Sequence, residues 1–147
     1  MSKYRSFVSL VIAFFLTVAS AAVFSASKVE ALGLARLEIE RLRIEKLGAI
    51  DQLRADLRAG KIDRAEFRKG VNAVKKSFSE TINTAKVAFR TLKIQLRGTV
   101  DDATIDKAEK AFDAAVEKAI ADLNSFLIAL AKDLGIPPGD LPVTSPA

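Results

Sequence analysis

The chain has 147 residues, enough for one domain rather than two. Half of them are apolar, 28% are charged and the formal net charge is +5, with no Cys, His or Trp. That composition excludes disulfides, thiol nucleophiles, imidazole acid–base catalysis and zinc or copper sites built from Cys and His.

Lys3 and Arg5 precede an uncharged run over residues 7–26, richest in Phe, Val, Leu and Ile at its centre. Small residues follow, Ala19, Ser20, Ala21 and Ala22. Basic, then apolar, then small is the order of a secretory signal peptide. Ala19-Ser20-Ala21 fits the A-x-A cleavage rule, and Ser25 with Val23 two before it is a second candidate. The run is also long enough to span a bilayer as a transmembrane helix. Left uncut, it would anchor the chain with its N-terminus in the cytoplasm, because the positive charges come first. Residues 1–26 are therefore read as a signal peptide or a signal anchor. Either reading exports the remainder to the periplasm or exterior, as a soluble secreted body or a tethered one.

All four prolines lie after residue 136, so nothing earlier forces a helix to end. Gly60, Gly98 and Gly135 each follow an apolar periodic run, where a helix would close. Asp63 and Glu66 form a capping-box pair between Ile62 and Phe67, placed as a hydrophobic staple. Asp101 is expected to cap the next helix, with Val100 and Ile105 as its staple, and Ser27-x-x-Glu30 reads as a third capping box. The expected helices are 27–59, 63–97 and 101–134. Their short connections require antiparallel neighbours. The fold class is all-α, a coiled-coil-like bundle of three long antiparallel helices behind the hydrophobic N-terminal segment.

The apolar stripe has near-hendecad periodicity. Phe67, Phe78 and Phe89 form one row of the second helix, and Val74, Ala85 and Leu96 another. The third helix repeats this with Ile105, Val116, Leu127 and with Phe112, Leu123, Leu134. Eleven residues in three turns keeps the helices nearly straight. Residues 63–97 carry nine basic and three acidic side chains, whereas 101–134 carry four and eight. Facing flanks then suggest the pairs Arg97–Asp102, Lys93–Asp106, Arg90–Glu109 and Lys86–Asp113.

The first helix is less regular. Leu32, Ile39, Leu42, Ile50, Leu53 and Leu57 make its core stripe, interrupted by Lys46. A second strip, Gly33, Leu34, Leu37, Ile44 and Gly48, lies on another face. It is either a second wall of a wide bundle face or a self-association surface in a homo-oligomer. The tail over 135–147, rich in Pro, is expected to run extended.

Residues 60–67 resemble the second half of an EF-hand loop. The earlier ligand positions fall on Ala55, Leu57 and Ala59, which cannot bind calcium. No P-loop, Rossmann or G-x-S-x-G pattern is present. The expectation is a protein without enzymatic activity, catalytic residues, cofactor or metal.

A basic cluster surrounds the first hairpin: Arg54, Arg58, Lys61, Arg64, Arg68, Lys69, Lys75 and Lys76. It suits anionic lipid or a cell-wall polymer by electrostatic attraction. It lacks interleaved aromatics for base stacking, so no nucleic acid partner is expected. The leading functional reading is a scaffold or assembly protein acting through helix–helix contacts with itself or another envelope protein. The layout of signal, basic charge and helical body is similar to that of small helical periplasmic chaperones. An anchored helical rod resembles, in layout, the inner-membrane component of a phage spanin pair. No residue carries over from either.

Overall fold

The computed structural model describes residues 25–137, and the described chain is three helices with no strand. α1 spans Ser25–Arg58, α2 Arg64–Leu96 and α3 Asp102–Asp133. At 1.5 Å per residue each is about 50 Å long. The signal or anchor expected over 1–26 falls almost wholly outside the described residues, as does the tail beyond Pro137.

The two hairpins turn by different means. At the first, Gly60 takes φ +72° and its N–H donates to the Leu57 carbonyl, while the Lys61 N–H donates to Asp56. This paired closure satisfies carbonyls that a helix end leaves open, and glycine adopts its left-handed conformation without a Cβ penalty. Asp63 then starts α2 with a complete capping box. Its carboxylate accepts from the Glu66 N–H at 2.7 Å, and the Glu66 carboxylate accepts from the Asp63 N–H at 2.9 Å.

At the second hairpin Arg97 is extended and Gly98 has φ +85°. The Thr99 N–H donates to the Leu96 carbonyl, which makes a type II turn. Asp101 occupies the cap position of α3, but its side chain makes no cap hydrogen bond. The expected cap is thus present in backbone only. Nor does Ser27 cap α1, which is already helical at Ser25.

α1 lies against both other helices, whereas α2 and α3 approach each other closely at few backbone positions. Lys46 meets Ser77, and the Leu53 side chain occupies the space a Cβ on Gly70 would need. Both contacts run α1 and α2 in opposite directions. Arg43–Asp122 and Arg58–Asp133 run α1 and α3 in the same direction. The bundle is therefore up, down, up. The start of α1 and the second hairpin share one end, and the first hairpin and the chain's exit share the other.

The core follows the expected rows. Phe67, Phe78, Phe89, Ile105, Val116 and Leu127 are all buried, as are Ala85, Leu96, Phe112 and Leu123. Val74 and Leu134 pack at its margin. Ile136 is buried too, and its N–H donates to the Ala131 carbonyl. The first two residues of the expected extended tail, Gly135 and Ile136, instead close α3 and extend the core, because Ile136 gains more from apolar burial than from water.

Candidate functional site

α2 and α3 do face each other with opposite charge, but in a different register from the one expected. Lys93 pairs with Glu109 at 2.7 Å rather than with Asp106. None of the four expected pairs forms among the described residues. Phe89 and Phe112 stack with centroids 4.4 Å apart and planes within 6°. Two buried rings outweigh exposed ion pairs worth about 0–1 kcal/mol each, so packing sets the register and charge follows it.

The basic cluster is divided by the fold. Arg54 pairs with Asp51 at 2.5 Å and lies 6.0 Å over the Phe126 ring. Arg58 pairs with Asp133 at 2.6 Å, joining the end of α1 to the end of α3. Lys75 is 6% exposed and does not belong to an open patch. Its α2 position continues the buried series Phe67, Val71, Lys75, Phe78, a spacing that counting positive charges along the chain does not register. Lys61, Arg64, Arg68, Lys69 and Lys76 are exposed around the first hairpin.

A polar layer, visible in the sequence only as an interruption of the α1 stripe, crosses the bundle between Leu42 and Ile50 of α1. Lys46 is 3% exposed; its Nζ donates to Ser77 Oγ at 3.0 Å and lies 3.5 Å from Glu45. Lys75 stands at nearly the same level on α2, and burial pushes its pKa down from 10.5. Arg43 and Asp122 close the layer at 2.5 Å on the α1–α3 side. Lys46 sits where buried positions of α1 are spaced four and four, Leu42 to Lys46 to Ile50, rather than three and four. Such a step locally unwinds helix pairing.

The second strip of α1 faces outward. Leu34, Leu37 and Ile44 are exposed, and nothing lies within 4 Å of a Cβ built on Gly33 or Gly48. It is not a second wall of the intramolecular core. Val87 and Ile94 on α2 and Ile128 on α3 are also exposed. α2's pair escaped the sequence reading because its neighbours are basic and its core stripe is so regular. Their spacing of seven was the available signal.

Among the described residues no group of three or more His, Cys, Asp or Glu side chains is placed to hold a metal ion, and no helix is long and apolar enough to cross a membrane. No family model, curated protein or solved structure matches the chain.

Proposed function

We propose that the protein is a non-enzymatic helical scaffold of the cell envelope, a coiled-coil-like rod that is exported or anchored by residues 7–26 and works through helix–helix contacts. One observation carries this reading. An odd number of helices puts Ser25, the start of α1, at one end of the bundle and both the first hairpin and Ile136 at the other, about 50 Å away. A rod with its membrane segment and its basic hairpin at opposite ends is built to hold two things apart. The same geometry favours the envelope-spanning variant of the reading over the chaperone-like one, which has no need of separated ends.

The test is the intact mass of the protein from native membrane and soluble fractions, followed by cross-linking from the first hairpin through a photoreactive residue at Lys61. Full-length chain in the membrane, with a discrete cross-linked partner at the far end, is the expected result. A chain cut before Ser27 and found soluble removes the anchor. If that soluble chain also suppresses aggregation of unfolded clients in a salt-sensitive manner, the chaperone-like reading replaces this one.

A further inference from the structure

The cations of α2 lie beside acids along one half of the helix and not along the other. The register set by Phe89–Phe112 and Lys93–Glu109 lays residues 86–97 of α2 beside 105–116 of α3, which carry Asp106, Glu109 and Asp113. The same register lays residues 64–76 beside 126–137, where the one acid is Asp133, held by Arg58 of α1 at 2.6 Å. From α1 this half receives Asp51 and Asp56, which hold Arg54 and Gln52. Asp63 and Glu66 are engaged in the capping box. Arg64, Lys69 and Lys76 are exposed, and no ion pair among the described residues reaches them.

These cations share a face. Arg64, Arg68, Asn72 and Lys76 follow one another every four residues, all exposed, and Lys69 adjoins them. At about 100° per residue the five lie within a sector of about 140°, and Asp63 and Glu66 lie outside it. The row runs along the helix axis for about 18 Å. Like charges four residues apart weaken a helix, so setting Arg64 above Arg68 gains the bundle nothing of its own.

We propose that this face binds a linear polyanion of phosphate or carboxylate repeats, laid along α2. The contact is on the side of the rod and goes beyond the scaffold reading, whose partner is sought at the tip through Lys61. The composition of the face selects the occupant. A protein interface is anchored by buried aromatic or aliphatic side chains, and a bilayer surface takes apolar side chains into its headgroup region. Residues 64–76 expose no large apolar side chain, and beyond the Lys46–Ser77 level only Ile128 of α3 does so among the described residues. Phe67 is buried, so the face has no ring on which bases could stack. The acids of a second copy, Asp106, Glu109 and Asp113, lie beside that copy's own residues 86–97. A single small anion meets one or two cations of the row, whereas a chain of repeated charge meets them all and releases a condensed counterion at each.

The protein as isolated, in neutral detergent, is titrated into fluorescently labelled long-chain polyphosphate and poly-glutamate. Binding to at least one polymer is expected, weakening linearly with salt on logarithmic axes, with tripolyphosphate competing more than about tenfold less well per phosphate. Arg64→Gln with Lys69→Gln and Lys76→Gln should lower the affinity more than about tenfold and the salt slope by about 2–3. Lys86→Gln with Arg90→Gln and Arg97→Gln removes the same charge beside the α3 acids and should change the affinity less than about threefold. Arg64→Lys with Lys69→Arg and Lys76→Arg should keep the binding, which separates charge from misfolding. Equal loss from the two neutralised triples reduces the effect to net charge and overturns the proposal. So does absence of binding to both polymers, tripolyphosphate competing phosphate for phosphate, or tighter binding to single-stranded DNA or to phosphatidylglycerol vesicles. A discrete protein captured by a photoreactive residue at Lys76 assigns the face to a protein and overturns it as well. A salt-sensitive oligomer lost in the Arg64, Lys69 and Lys76 triple assigns it to a second copy, with the same consequence. None of these outcomes alters the cross-link sought at Lys61, so this contact and the scaffold reading fail separately.

Discussion

The two ends of the bundle are built differently. At the second hairpin both the Thr99 N–H and its hydroxyl donate to the Leu96 carbonyl, Asp101 contributes no cap bond, and the core behind it is apolar, with Phe89 stacked on Phe112. At the first hairpin the turn is tightly capped by Asp63 and Glu66, and behind its apolar core of Ile50, Phe67 and Val71 the bundle admits Lys46 and Lys75. The half toward the second hairpin has an uncapped helix start over a wholly apolar core, and the half toward the first hairpin has a capped start and the two buried lysines.

The largest effect should come from the dry end. Phe112→Ala removes a buried ring and its stacking on Phe89, and is expected to cost about 3–5 kcal/mol in urea unfolding. A cost below about 1 kcal/mol would mean that the Phe89–Phe112 stack does not hold α2 to α3.

The polar layer should respond in the opposite direction. Lys75→Met keeps the apolar stem and removes a poorly solvated charge, so it is expected to stabilise the bundle by roughly 1–3 kcal/mol. The pH dependence follows from the lowered pKa. Unfolded Lys75 holds its proton up to about 10.5, while the folded form gives it up earlier, so the unfolded state binds more protons in that interval. Stability therefore rises as pH climbs toward 10.5, and the gain is lost as pH falls through the folded value. Lys75→Met should flatten that rise; an unchanged slope would place its source elsewhere.

Much of this was legible in the sequence, for reasons that differ by residue. Helix ends could be read because Asp63 with Glu66 and the three glycines act locally. The buried rows could be read because eleven-residue spacing survives packing. Interhelical register could not, because it depends on how Phe89 meets Phe112, and a charge wheel has no access to ring shape. Lys75 was misjudged for a related reason: its place in the core depends on the four-residue steps from Phe67 to Val71 to Lys75. Gly70 gave no sign of admitting Leu53, since a close approach belongs to two helices at once.

The turns offer a smaller test of the same contrast. Asp63→Ala should cost about 1 kcal/mol, whereas Asp101→Ala should change stability by only a few tenths of that. Equal costs would erase the distinction between the hairpins. Smallest of all is the coupling of Lys93 with Glu109, expected below about 1 kcal/mol in a double-mutant cycle and reduced further by salt. A larger coupling would restore charge as a cause of register.

The up, down, up path also has a mechanical consequence. α1 enters at one end and Ile136 leaves at the other, so tension between the termini acts along the helix axes. Such a load shears α1 and α3, whose core rows must slip together, instead of peeling a hairpin open one contact at a time. The Arg58–Asp133 and Arg43–Asp122 bridges cross the sheared interface at two heights. A bundle loaded in this geometry behaves as a strut under strain and gives way all at once.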